Sequence, residues 1–561
     1  MRSQAISETL SILLALSMSA NNAGSQVGRT PTLHTGEPWG AAEAIRGTQG
    51  SPEAKPRPWP EPYLNYAYLR RAWEVTGRAW VEKFSGTKWS DTGKTWELDR
   101  QWPNETQVGP QSYYIERATR GAANMGYACH DIQLLNEVSQ FYLVYANRFT
   151  TLGDMRRMAS SSTTTTLLND QGDDPARTLL WIEKQPAGSR VRECALCNSQ
   201  FFHPAARLIR IITLLPESER TPTMRKFVSL YAPLIVRDHL IRLLYQAKWD
   251  YYGLKDLPEH LVDIWKAISA FSVRPKLSYQ FAMTDRDLWL IATASEILGA
   301  NAHDRGLVPL NPEEKTRLQN AVQTGVSLFQ RKGTFYPDTR NFRGEVVGSM
   351  SYFNGDYDDH PENAYTGCRG SSFPTPQDKG VHPGTSWDIS HFYRVPVFMR
   401  SLYDNKTAAG VDFPSTRDVE LLTNQLMYRV FKGDFNHPLF DNFFDGCNGW
   451  YRVGYGRPTF GYPPAEYCDS RSPDRPCLVT GMVLGWGALA SFNPDLTELL
   501  HALVKLAMRD DPETKQFKER YYWDNGQSFS FRDARGQPQY PSLLFFILST
   551  VPEKLQACAS P

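Results

Sequence analysis

The sequence predicts an all-α protein, an (α/α) toroid whose long irregular loops gather at one mouth. Three observations predict it. Apolar residues recur at helical spacing along most of the chain from Tyr63 onward, and strand-like alternation is scarce. The helical stretches share no short repeat, whereas a solenoid would show self-similarity at a period of about 34–47 residues. The segments between them are rich in Gly and aromatic residues, and loops carried by a rigid scaffold are where functional residues concentrate.

In chain order, helices are expected at 63–84, 129–146, 203–215, 222–249 with a kink near Pro233, and 258–270. "TDRDLWLIATASEILG" starts at Thr284 and stops at Gly299. "NPEEKTRLQNAVQTGVSLF" has Asn311 as cap, Pro312 at the first helical position and two acids in the first turn, with Leu318, Val322, Val326 and Phe329 on one face. After a helix at 387–403, "STRDVELLTNQLMYRVF" has Ser415 as cap and Asp418 three residues on, with Val419, Leu422, Leu426 and Val430 as its buried face. Helices at 477–491, at "NPDLTELLHALVKLAM" from Asn493, and at 540–550 complete the body.

The N-terminus carries Arg2, the apolar run "LSILLALSMSA" and small residues at Ser17 and Ser19. That pattern predicts a secretory signal over 1–19 and a secreted or periplasmic protein. Residues 20–62, rich in Pro, Gly, Ser and Ala, read as a disordered linker, and 63–555 as one catalytic domain. No later run reaches the roughly 18 apolar residues of a membrane span. With 61 basic and 60 acidic side chains and no basic stripe, nucleic acid is excluded as a partner. Aromatics make up 12% of the chain, and flat faces with a polar tip suit sugar rings as well as a large core. Eight cysteines in an exported chain predict disulfides, and Cys468 and Cys477 bracket a polar loop that a local bridge closes. "CALC" at 194–197 lacks the second pair zinc requires and reads as structural. Asn104 and Asn405 begin glycosylation sequons.

Three loops carry chemistry. "FNGDYDDHPENAYTG" at 353–367 crowds Asp356, Asp358 and Asp359 beside His360, with Tyr365 further on. Clustered acids raise one another's pKa, so one can stay protonated as a general acid. They are also the oxygen ligands Ca²⁺ or Mg²⁺ takes, although the spacing is not that of an EF-hand and the sequence requires no metal. In "GVHPGTSWDISHFYRVP" at 380–396, Thr385 or Ser386 caps a helix. Asp388 and His391 then share a face that Arg394 extends, beside Trp387 and Tyr393. A carboxylate beside an imidazole fixes its tautomer, as a general acid or base requires. In "FDGCNGWYRVGYGRPTFGYPPAEY" at 444–467, Asp445, Trp450, Tyr451 and Arg452 lie among glycines. Exposed aromatics beside Arg would form a platform for an acidic sugar or a diphosphate. A fourth, weaker candidate places His130 and Glu137 on one face of an apolar helix.

Over about residues 63–551 this architecture resembles the α/α-toroid carbohydrate-active enzymes, which include glycoside hydrolases and polysaccharide lyases. The resemblance implies cleavage of a poly- or oligosaccharide. Asp358 or Asp359 with Asp388 would be a hydrolase pair. Alternatively His391, Tyr393 and Arg394 would be a lyase set acting on a uronate. "DYDD" at 356–359 also resembles the Asp-x-Asp-Asp motif of class II terpene cyclases, which implies protonation of an alkene by Asp358; "HPEN" follows here instead of that family's Thr-Ala. "DDHPE" matches the Asp-Asp-x-x-Glu pattern of class I terpene synthases, with Pro361 against the helix that motif needs. A non-catalytic toroid that binds glycans or a protein is the third class.

Overall fold

Helix starts in this chain are set by local chemistry. Asn311 accepts from Glu314 N–H while the Glu314 carboxylate accepts from Asn311 N–H, and Ser415 with Asp418 and Thr284 with Asp287 form the same reciprocal box. Asn493 accepts from Asp495 and Leu496 N–H. Each such cap stabilises its helix by about 1 kcal/mol. The computed structural model describes residues 66–99, 111–151, 179–180, 182–184, 191–193, 195–247, 258–269, 283–353, 386–453, 458–479 and 485–522. All of them belong to one unit, Arg57–Pro561. The expected signal over 1–19, the linker over 20–62, the 540–550 helix, Asn104, Asp356, Asp358, Asp359, His360 and Tyr365 lie outside the described residues.

The described chain is mostly helical. Its helices are α1 Tyr66–Ala72, α2 Arg78–Ser85, α3 Gln111–Ala128, α4 Ile132–Tyr145, α5 Ala195–Leu214, α6 Pro222–Pro233, α7 Leu261–Ser269, α8 Asp285–His303, α9 Pro312–Gln330, α10 Ile389–Phe392, α11 Arg394–Ala409, α12 Thr416–Gln425, α13 Pro494–Met508 and α14 Pro512–Tyr521. At Pro233, where a kink is expected, α6 passes into a π-helical segment, Leu234–Gln246. Strands occur as short antiparallel pairs, such as Thr87–Ser90 with Thr95–Leu98 and Gly333–Tyr336 with Ser349–Tyr352. α3, α5, α8 and α11 pack one against the next; α4 lies against α3 and α6, and α9 against α8 and the π segment. Leu318, Val322, Val326 and Phe329 of α9 and Val419, Leu422, Leu426 and Val430 of the α12 stretch are all buried, as their spacing predicts. No helix among the described residues is long and apolar enough to cross a membrane.

Several expectations need correcting. α8 does not stop at Gly299 but runs on to His303. A Cβ at 299 would lie 1.9 Å from Asn405 Oδ1, so the glycine permits close contact with α11. α3 is an unexpected helix whose glycines weaken its propensity; a Cβ at Gly126 would stand 2.9 Å from Leu135. α5 starts at Ala195, ahead of the expected 203, with Pro204 inside it. Of the helix expected over 477–491, the described residues show Val479 in helical conformation and a 3₁₀ segment, Trp486–Phe492, while 480–484 lie outside the described residues. The expected Cys468–Cys477 bridge is present, with Cα atoms 5.1 Å apart. Cys129, Cys197 and Cys447 are also disulfide-bonded, and no described cysteine is free.

Asn405 is not a usable sequon. It lies within α11, 3% exposed, and its amide donates to Glu296 Oε2 at 3.1 Å and to the Ser401 carbonyl at 2.8 Å. Expression in a glycosylating host is expected to leave the peptide containing Asn405 at its unmodified mass. A glycan there, seen by mass spectrometry, would contradict this packing.

Candidate functional site

The second and third chemistry-bearing loops meet in space. Ile389 N–H donates to the Asn442 carbonyl and Phe444 N–H to the Trp387 carbonyl, both at 2.9 Å, so Asp388 pairs antiparallel with Phe443. Asn442 ties the far side of this junction by donating to the carbonyls of Gly449 at 2.9 Å and Pro463 at 2.6 Å. Beneath α10, Phe392 stacks on Phe444 with centroids 3.5 Å apart, and Trp486 lies against both rings.

Asp388 is the N-cap of α10, a role expected of Thr385 or Ser386. Its Oδ1 accepts from the N–H groups of Ser390 and His391, both at 3.1 Å, and from the Ser390 hydroxyl at 2.5 Å. Its Oδ2 accepts from His391 Nδ1 at 2.8 Å. A carboxylate offers only lone pairs, so Nδ1 carries the proton and in the neutral ring Nε2 keeps its lone pair. The side chains differ in access as those roles require: 4% exposed for Asp388 and 29% for His391. Burial pushes the Asp388 carboxyl up. His391, the Ser390 hydroxyl and the Arg452 cation more than offset this and hold it well below the usual carboxylate range. The Ser390 hydroxyl lies on the Nδ1 side of the ring, at 3.4 Å, where it cannot serve as a nucleophile activated through Nε2.

Tyr451 stands edge-on to His391 with centroids 6.4 Å apart, and the Arg452 guanidinium sits 5.2 Å from the Tyr451 ring centroid. Arg452 has φ +52°, a left-handed conformation that costs a non-glycine residue about 1 kcal/mol or more.

The remaining expected residues go elsewhere. Arg394 does not extend the Asp388–His391 face. The helix is interrupted at Tyr393, and Arg394 is buried, with Nε 3.2 Å from Asp285 Oδ2 and Nη1 donating to the His391 carbonyl. Tyr393 is buried too; its hydroxyl accepts from Arg117 at 3.3 Å and Gln200 at 3.4 Å. Trp387 and Trp450 are buried, and Tyr451 nearly so, which removes the exposed platform expected of the third loop. Burial pushes the Asp445 carboxyl up, against a backbone donor from Cys447. His130 lies before α4 in a turn with φ +53°, beside Glu219. Glu137 is clasped by Trp73 and Arg78, so the two share no helix face. Among the described residues no three His, Cys, Asp or Glu side chains stand together as metal ligands. Sequence reasoning missed Ser390, Asn442 and Phe444, whose roles depend on a partner from another loop or on a backbone turn. Comparison of the chain with protein-family models, curated proteins and solved structures found no match to any of them.

Proposed function

We propose that this protein is an exported α/α-toroid enzyme that cleaves a uronate-containing polysaccharide by elimination, with His391 as the base. The observation that carries the reading is the occupancy of Asp388. Both of its oxygens accept from α10 or His391 and its side chain is only 4% exposed, so it orients the imidazole and is poorly placed to meet a glycosidic oxygen or a water. That disfavours Asp388 as half of a hydrolytic carboxylate pair. It favours proton chemistry at Nε2.

In this reading Nε2 takes the proton alpha to the uronate carboxylate. The released electron pair forms a carbon–carbon double bond, the bond to the glycosidic oxygen breaks, and that oxygen leaves with a proton taken from solvent water, while the imidazolium formed at His391 later gives its proton back to solvent. Arg452, whose charge reaches the Asp388–His391 pair, takes the role of the cation that neutralises the substrate carboxylate, while Arg394 is buried against Asp285. The toroid reading draws on the order of packing: α3, α5, α8 and α11 neighbour one another in succession, with α4 against α3 and α6, and α9 against α8, as along one arc of such a ring. Export is supported by the disulfide-bonded cysteines.

Incubation with uronate polysaccharides is expected to give products that absorb in the near ultraviolet and new reducing ends in equal number. Reducing ends without absorbance would make it a hydrolase. Turnover of prenyl diphosphates instead would point to the terpene-cyclase resemblance.

A further inference from the structure

The Cys468–Cys477 bridge closes a loop that reaches the candidate site through the backbone. The Asp474 carbonyl accepts from Gly461 N–H at 3.0 Å. The next residue, Tyr462, exchanges both backbone hydrogen bonds with Tyr451, at 2.9 and 2.8 Å, and their rings stack with centroids 6.0 Å apart. Tyr451 in turn faces His391. The other side of the loop is docked on the end of α14, where Ser470 N–H donates to the Arg520 carbonyl at 2.6 Å and Arg520 Nε donates to the Cys468 carbonyl at 3.2 Å. Gly461 lets this strand lie against the buried Trp450, since a Cβ there would stand 3.1 Å from the indole.

We infer that Tyr462, held by the disulfide-closed loop, is a positioning residue that sets the Tyr451 wall against which His391 works. A first-layer group stays in place only when a supporting layer locks it. Here a covalently closed loop anchored on a helix supplies that layer. The consequence for catalysis rests on His391 as the base; the physical coupling does not.

The test uses the full chain labelled with ¹³C in its histidine rings, the His391 signal being identified by its loss in His391→Gln. Tyr462→Ala and the Cys468→Ser/Cys477→Ser double variant are expected to displace that signal and to speed amide exchange of residues 449–453 about tenfold or more, with α11 unchanged. Tyr462→Phe, which keeps the ring, is expected to restore both. An unmoved His391 signal with unchanged exchange in Tyr462→Ala overturns the inference. If the double variant fails to fold, Tyr462→Ala still decides, because it leaves the bridge intact. Neither readout needs substrate, so failure here is distinct from failure of the lyase reading, which the activity of His391 variants tests.

Discussion

His391→Ala is expected to abolish eliminative cleavage, and Asp388→Asn to lower kcat by about 10³- to 10⁴-fold, with both proteins folded. Asparagine caps a helix as well as aspartate does, so α10 keeps its start. What changes is the proton. The amide introduced by Asp388→Asn would donate to Nδ1, moving the imidazole proton to Nε2, and an Nε2 that carries a proton cannot take one. The charge that favours the imidazolium after proton transfer is lost as well. Product absorbance measures the rate and circular dichroism the fold; full activity in a folded Asp388→Asn protein would remove His391 from the mechanism. The depressed Asp388 pKa also makes a stability statement. Its contribution is present above the ordinary value of 3.8 and is lost as pH falls through the lower folded-state value.

The largest stability effect is expected at the junction of α5, α8 and α11. Arg207 Nη1 lies 3.3 Å from Glu296 and 2.8 Å from Asp404, Arg210 faces the same two carboxylates at 3.8 and 3.6 Å, and Arg400 Nε lies 2.9 Å from Asp404. Such a network adds little over a well-packed apolar core, but breaking it leaves buried charge uncompensated. Glu296→Ala should therefore lower the unfolding free energy by about 3–5 kcal/mol, read from the urea midpoint. A loss below about 1 kcal/mol would mean that water or a rearranged partner compensates the arginines.

Two acid limbs should accompany it. His203 and His239 are buried, and burial together with nearby arginines lowers both well below 6.5. The unfolded chain therefore binds protons that the folded one refuses, and stability falls as pH drops below about 6.5. Asp404 is pushed up by burial but held below 3.8 overall by Arg400, Arg207 and Arg210, so its contribution is lost only further into acid.

What a residue does with its own near neighbours was determined by the sequence. The boxes at Thr284, Asn311 and Ser415, the Asn493 cap and the Asp388–His391 pair all lie within four residues along the chain, and helix geometry dictates that they meet. The local Cys468–Cys477 bridge belongs to the same class. α14 escaped notice because "PETKQFKERY" has almost no apolar face, and α3 because its glycines serve packing rather than propensity. Tertiary structure alone decided that Arg394 belongs to Asp285, that Asn405 is sealed under Gly299, and that Arg452 stands near enough to depress Asp388. Those outcomes depend on which helices and loops become neighbours across more than sixty residues of chain, and no local spacing encodes them.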